Sequence, residues 1–191
     1  MTRRIILVKH AQPILDATMA PRHWQLSAEG ADQARRLAQR LAEFMPFTLA
    51  CSREPKAQRT GAIVAEELDL PMRVVEGLEE FDRPALPLMP AAEHEHLNAR
   101  IFTDLSRVVI GRESGAQALA RFREGVMTAL DGAPDTKTLV VVTHGTVMSL
   151  LVAAHNDIDP MDLWKRLTCP SFVVLALPGF ALARIVEHAG T

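Results

Sequence analysis

The first stretch with a clear pattern is residues 5–8, where Ile5, Ile6, Leu7 and Val8 follow one another without a polar break. A short continuous run of this kind predicts a strand buried on both faces. Over residues 27–45 the period changes. Ala34, Leu37, Ala38, Leu41 and Met45 recur at helical spacing, with Asp32, Arg35, Arg36, Gln39, Arg40 and Glu43 on the other faces. Ser27 suits an N-cap, Glu29 favours the first turn through the helix dipole, and Pro46 is the expected stop.

Residues 47–51 form a second apolar run, followed by a helical stretch over 55–68 with Ala57, Val64 and Leu68 on its inner face. Residues 72–75 are a further strand candidate. The rhythm then breaks over 82–113, where Pro84, Pro87 and Pro90 follow closely on Pro71. This stretch is expected to be an inserted lid, helical from about 91 to 107. Helical spacing returns with Leu119, Phe122, Val126 and Leu130, and the strongest strand pattern is 138–143, followed by an apolar helix over 146–155. Residues 172–177 and 181–186 read as two closing strands joined through Pro178-Gly179. Strands alternating with helices predict an α/β fold: a three-layer sandwich with a mostly parallel central sheet and helices on both faces. Residues 1–191 are expected to form a single domain, with 82–113 as its insertion.

Composition narrows the partners. The chain has 191 residues, with 21 Lys and Arg against 23 Asp and Glu, a formal charge of −2. That balance argues against binding nucleic acid or a membrane surface through bulk electrostatics. Cys51 and Cys169 lie far apart, without a neighbouring Cys or His at ligand spacing, so neither a disulfide framework nor a structural metal site is expected. The opening apolar run is too short for a signal peptide, and no segment has the roughly 18 apolar residues of a membrane span. A cytoplasmic location is the expectation.

Candidate chemistry gathers after the strands. His10 follows the first strand, beside Ala11, and His144 follows the strongest, beside Gly145. In open α/β sheets the functional crevice lies beyond the carboxyl ends of the strands. Either histidine alone reads more readily as a strand-end residue satisfied locally; two of them balance that reading. The strand over 47–51 runs into Ser52-Arg53-Glu54-Pro55-Lys56-Ala57-Gln58-Arg59-Thr60, which places hydroxyls, cations and a helix start at a third strand end, an arrangement suited to an anion.

Taken in order, Lys9-His10-Ala11, Leu26-Ser27-x-x-Gly30, Ser52 through Thr60, Leu78-Glu79-Glu80 and His144-Gly145 resemble the motifs of the histidine phosphatase superfamily, the phosphoglycerate-mutase-like proteins. The likeness runs from residue 4 to about 177. It implies that His10 is a nucleophile forming a phosphohistidine, that His144 stabilises the phosphoryl oxygens, and that Glu80 protonates the leaving alcohol and then activates water. Lys9, Lys56, Arg83 and Gly145 would bind phosphate, with no metal and no cofactor. Neutral imidazole is plentiful near pH 7, and phosphoryl transfer is accelerated mainly by positioning and charge stabilisation.

The chain departs from the family pattern twice. Lys9 and Lys56 stand where arginines are usual, replacing a planar fork by a compact charge. Arg53, Arg59 and Arg83 are candidates to supply the missing fork, Arg83 first among them. Glu113, in Gly111-Arg112-Glu113-Ser114, is an alternative acid to Glu80. Of the other histidines, His94 and His96 read as surface residues, His155 and His188 as structural, and His23-Trp24 as candidates for the pocket entrance; Trp164 reads as core or interface.

The expected function is that of a metal-independent phosphatase acting on small phosphate monoesters. The alternatives are a phosphoglycerate-mutase-type transferase and a degenerate, non-catalytic phospholigand-binding protein. Specificity would come from residues 13–25 and 82–113, and the apolar segment 170–180 leaves a homodimer open.

Overall fold

A six-stranded sheet runs through the computed structural model, which describes residues 3–45, 47–85, 90–133 and 138–191; the expectations resting on Pro46 and Pro87 lie outside them. In chain order the strands are β1 (Arg4–Lys9), β2 (Phe47–Cys51), β3 (Met72–Val74), β4 (Thr138–Thr143), β5 (Ser171–Ala176) and β6 (Ala181–Val186). Their order in space is β3-β2-β4-β1-β5-β6. The first four are parallel, while β5 runs antiparallel to β1, and β6 antiparallel to β5.

Alternation along the central strands divides the core. Ile5 and Leu7 of β1 and Leu139 and Val141 of β4 pack on one face, with Phe122, Val126, Val147, Leu151 and Leu163. Those partners come from α4 (Gly115–Asp131), α5 (Gly145–His155) and α6 (Pro160–Arg166). Ile6, Val8, Val140 and Val142 point the other way, onto Leu37 and Leu41 of α1 (Ala28–Leu41) and Ala57 and Val64 of α2 (Pro55–Leu68). Both faces of β1 and β4 are therefore buried, which is why their sequences are continuous apolar runs rather than alternating ones. The expected α/β sandwich with a mostly parallel sheet is the fold observed.

The local differences have local causes. α1 ends at Leu41, and a 3-10 turn over Ala42–Phe44 takes Phe44 into the core, leaving Met45 42% exposed. Tightening the last turn breaks the spacing that had placed Met45 on the inner face. α3 (Ala91–Thr103) stops short of residue 107. α6 was not anticipated. Its seven residues are too few to show a period, although Asp159 accepts from the Asp162 N–H as an N-cap and Pro160 occupies the first turn.

α1 is locked onto the loop that follows β1. Ser27 Oγ accepts from the Gly30 N–H at 2.9 Å and donates to the Gln12 carbonyl, also at 2.9 Å. A Cβ on Gly30 would lie 2.2 Å from that carbonyl oxygen. Backbone cannot yield as a flexible side chain does, so Gly30→Ala is expected to destabilise the fold by about 1–3 kcal/mol, read as a lowered denaturant midpoint with an unchanged slope.

Candidate active site

β1, β2 and β4 are parallel neighbours, so their carboxyl ends meet at one edge of the sheet, and the segments after them supply the polar groups. His10 N–H donates to the Thr143 carbonyl at 3.0 Å, and Ser52 N–H to the Val142 carbonyl at 2.9 Å. Thr60 secures the same edge: its Oγ1 donates to the Lys56 carbonyl at 2.7 Å and accepts the Ala11 N–H at 3.1 Å. The first turns of α2 thus hold the loop that carries His10.

His10 is buried, with Nδ1 2.7 Å from the Ala11 carbonyl. A carbonyl only accepts, so Nδ1 carries the proton and Nε2 keeps its lone pair. The ring lies 5.2 Å from that of His144, edge to face. Burial, reinforced by His144, Lys56 and Lys9, holds the His10 imidazole well below its ordinary pKa, and the ring is neutral near pH 7. His144 is fully buried, its Nε2 2.9 Å from Ser52 Oγ and 3.7 Å from a Glu54 carboxylate oxygen. Burial and the Lys56 charge lower its pKa as well. Its Nδ1 is buried with no hydrogen-bond partner among the described residues, a donor or acceptor in reserve.

The two lysines are both engaged. Lys9 Nζ donates to the Leu167 carbonyl at 2.6 Å. Its stem passes close over Gly145, where a Cβ would come within 3.3 Å of Lys9 Cε. Lys56 Nζ donates to the Pro21 carbonyl at 2.7 Å and forms a buried ion pair with Glu54. Glu54 was missed in the sequence. It is buried, accepts the Glu80 N–H at 2.8 Å, and ties Lys56, His144 and the Glu80 backbone together. Nothing in its local pattern separates it from the neighbouring exposed Arg53, since both flank the start of α2.

Of the three arginine candidates, the structure brings only Arg83 to His10. It lines the same cavity and donates to His94 Nε2 at 2.6 Å, Asn98 Oδ1 at 2.7 Å and Thr146 Oγ1 at 3.1 Å. Arg53 pairs with Glu76 and Glu79, and Arg59 with Glu66. The structure also separates the two acids. Glu80 lines the cavity, and its carboxylate accepts the N–H groups of Phe81, Thr146 and Val147 at 2.9, 3.1 and 3.2 Å. Burial pushes its pKa up, but His144, Arg83 and the Thr146 and Phe81 N–H groups outweigh this and hold it below the ordinary value. Glu113 does not line that cavity. It grips Arg121 at 3.1 and 2.7 Å and accepts the Asp82 N–H at 2.9 Å. Arg121 in turn donates to the Gly77, Glu79 and Glu80 carbonyls at 3.0, 2.9 and 3.1 Å, clamping the loop that presents Glu80. An arginine on a surface face of α4 gave no sequence signal for this.

Lys9, His10, Lys56, Glu80, Arg83 and Gly145 line a cavity of about 420 Å³. Two readings are corrected here. Trp164, expected in core or interface, lines the cavity, because the unanticipated α6 carries it there. His94, expected on the surface, also lines it, drawn in by Arg83 and packed edge to face on Trp164 with ring centres 5.3 Å apart. His96 is exposed as expected. Trp24 lines the same cavity, while His23 lines the adjacent cleft.

The chain resembles known proteins in sequence and in fold. The chain is 28% identical over 144 residues to the adenosylcobalamin/alpha-ribazole phosphatase of Salmonella typhimurium, covering 73% of this chain and 71% of that protein. Among solved structures, mycobacterial glucosyl-3-phosphoglycerate phosphatase in complex with inorganic phosphate superposes with a TM-score of 0.75 at 22% identity, covering 99% of both chains. The alpha-ribazole phosphatase of Shigella flexneri superposes with a TM-score of 0.67 at 19% identity, over 97% of this chain and 96% of that one. The model of the histidine phosphatase superfamily, branch 1, matches residues 5–179, and the chain belongs to that superfamily.

Proposed function

We propose that this protein is a phosphoric monoester hydrolase that acts on small phosphate monoesters without a metal, through a phosphohistidine on His10. The observation that carries the reading is the His10 imidazole, held neutral by burial with Nδ1 anchored on the Ala11 carbonyl and Nε2 left unprotonated. Lys9, Lys56, Arg83 and Gly145 line the same cavity as His10 and form the phosphate seat, with His144 packed against the nucleophile ring. Nε2 attacks phosphorus as the ester P–O bond breaks, and the Glu80 carboxylic acid gives its proton to the departing oxygen. In the second step the Glu80 carboxylate takes a proton from water, the water oxygen attacks phosphorus, and the P–N bond breaks to release phosphate. Glu80 is ionised in the empty site; a bound phosphate dianion beside it repels that charge and favours the protonated form the first step requires.

A second reading draws on the Glu54–Lys56 pair, since a lysine already neutralised by a buried carboxylate suits binding as well as turnover. One experiment separates the two. A panel of phosphate esters is incubated with the protein in chelator, measuring phosphate release and an acid-labile, alkali-stable phosphoenzyme after quenching. Release together with that phosphoenzyme is expected. Tight phosphate binding without either would leave the non-catalytic reading standing.

Positioning of the acid gives a further prediction. Arg121→Ala removes the clamp on the Glu80 loop while substituting no residue that lines the His10 cavity. Displacing a reacting group by about 1 Å costs up to roughly 100-fold, so kcat is expected to fall about 10- to 100-fold with a smaller change in KM.

A further inference from the structure

We infer that the alcohol portion of the substrate is uncharged and apolar, an aromatic or comparably bulky group, and that the substrate carries its single phosphate as its only anionic group. The inference rests on the phosphatase reading of this site and concerns the part of the cavity the phosphate does not fill.

Shape and lining come first. A cavity of about 420 Å³ is far larger than a phosphate needs and falls in the range of small-molecule sites. Away from His10 its wall is mostly Pro13, Leu15, Trp24, Pro84, Leu97 and Trp164, with the Gln12 amide and the Cys169 thiol beside them. The wall is pre-organised. The Trp24 indole N–H donates to the Asp16 carbonyl at 2.8 Å, and the Trp164 ring is braced by His94. His94 adds no charge: an arginine can only donate, so the His94 Nε2 facing Arg83 holds a lone pair. Its pKa is lowered to about 4, chiefly by burial. Thr146 and Asn98, the further polar groups beside Arg83, are likewise engaged by it. A polyol or sugar entering this space would find the Gln12 amide and little else to bond, and would lose most of its hydration without replacement.

Charge excludes a second anion. The cations of the cavity are Lys9, Lys56 and Arg83, and His10 in its lining and His144 packed against that ring are neutral. Against them stand Glu80 in the wall and Glu54 paired to Lys56. In the empty site three positive charges against two negative leave one; with Glu80 protonated in the complex they leave two, and a phosphate dianion takes up both. The neighbouring cleft offers no surplus either. Apart from Arg83, already counted, its arginines face carboxylates of the protein: Arg22 and Arg112 pair with Asp82, Arg53 with Glu76 and Glu79, and Arg121 with Glu113. A carboxylate or second phosphate on the substrate would be buried unpaired, which is costly.

The test compares esters whose leaving alcohols are similar in acidity, so that only recognition differs. kcat/KM is measured for benzyl phosphate, glycerol 3-phosphate and 3-phosphoglycerate. In parallel, Kd is measured by calorimetry for two uncleavable probes, benzylphosphonate and 3-phosphonopropanoate. Burial of the phenyl group predicts a preference of about 10- to 100-fold for the benzyl compound in both measurements. Trp164→Ala is expected to shrink that preference several-fold. So is Leu15→Ser, at a residue 53% exposed whose replacement leaves the core untouched. Turnover with equal or reversed preference overturns this inference and leaves the phosphatase reading intact. Selective benzylphosphonate binding with no hydrolysis of any ester overturns the phosphatase reading and leaves the ligand class. Neither turnover nor selective binding overturns both.

Discussion

Replacing His10 by alanine is expected to lower phosphate release by about 10³- to 10⁶-fold and to abolish the phosphoenzyme, the range seen when a covalent nucleophile is deleted. The fold should survive, because His10 contributes one side-chain hydrogen bond to the adjacent Ala11 carbonyl and its backbone hydrogen bond to Thr143 is independent of the side chain. Removal leaves a hole the size of the ring beside His144, so added imidazole is expected to restore part of the turnover without restoring the phosphoenzyme. The wild-type pH profile carries the same information. Nucleophilic attack needs the neutral ring, and burial places its pKa well below the ordinary value, so kcat/KM should hold as pH falls through 6.5 and decline only well below it. A decline centred at 6.5 or above would count against His10 as the group whose protonation stops the reaction, and undiminished hydrolysis by the alanine variant would remove it from the mechanism.

Glu80→Gln is the second large effect, and its size should depend on the ester. With an alkyl phosphate the leaving alkoxide needs a proton, and a loss of about 10²- to 10⁴-fold is expected. With 4-nitrophenyl phosphate the leaving group departs unprotonated, so phosphorylation of His10 should persist while water attack slows. The expected record is a burst of nitrophenolate equal to the enzyme concentration, followed by a slow phase. Equal losses on both esters without a burst would mean that Glu80 has neither role. Glu113→Gln is the control. Glu113 holds Arg121 and the Asp82 backbone outside the cavity, so it should produce a modest loss on both esters and no burst.

Several parts of this molecule are legible in the chain because they depend on neighbours close in sequence. The continuous apolar runs of β1 and β4 report strands covered on both faces, and their ends locate His10 and His144. The cap of α1 is written in Ser27, whose side chain accepts from the Gly30 N–H three residues on. Lys9, Lys56 and Gly145 stand in recognisable motifs, and all three line one cavity. Periodicity is a record of burial, and burial of a face is what these short-range patterns encode.

The partners of polar side chains are not written there. Arg83 is distinguished from Arg53 and Arg59 only because α3 brings His94 and Asn98 within its reach and α5 brings Thr146. Glu80 and Glu113 look equivalent along the chain; one docks on the first N–H groups of α5, while the other is consumed by Arg121. Glu54 gains its place by meeting Lys56, His144 and the Glu80 backbone at once, and Trp164 by riding on a helix too short to show a period. By itself the sequence determined the layers of the fold and the strand ends where chemistry gathers, because apolar spacing dictates which faces are buried. Tertiary structure alone decided which charges are spent on one another and which face the cavity, because a buried ion pair is settled by distances between segments far apart in the chain.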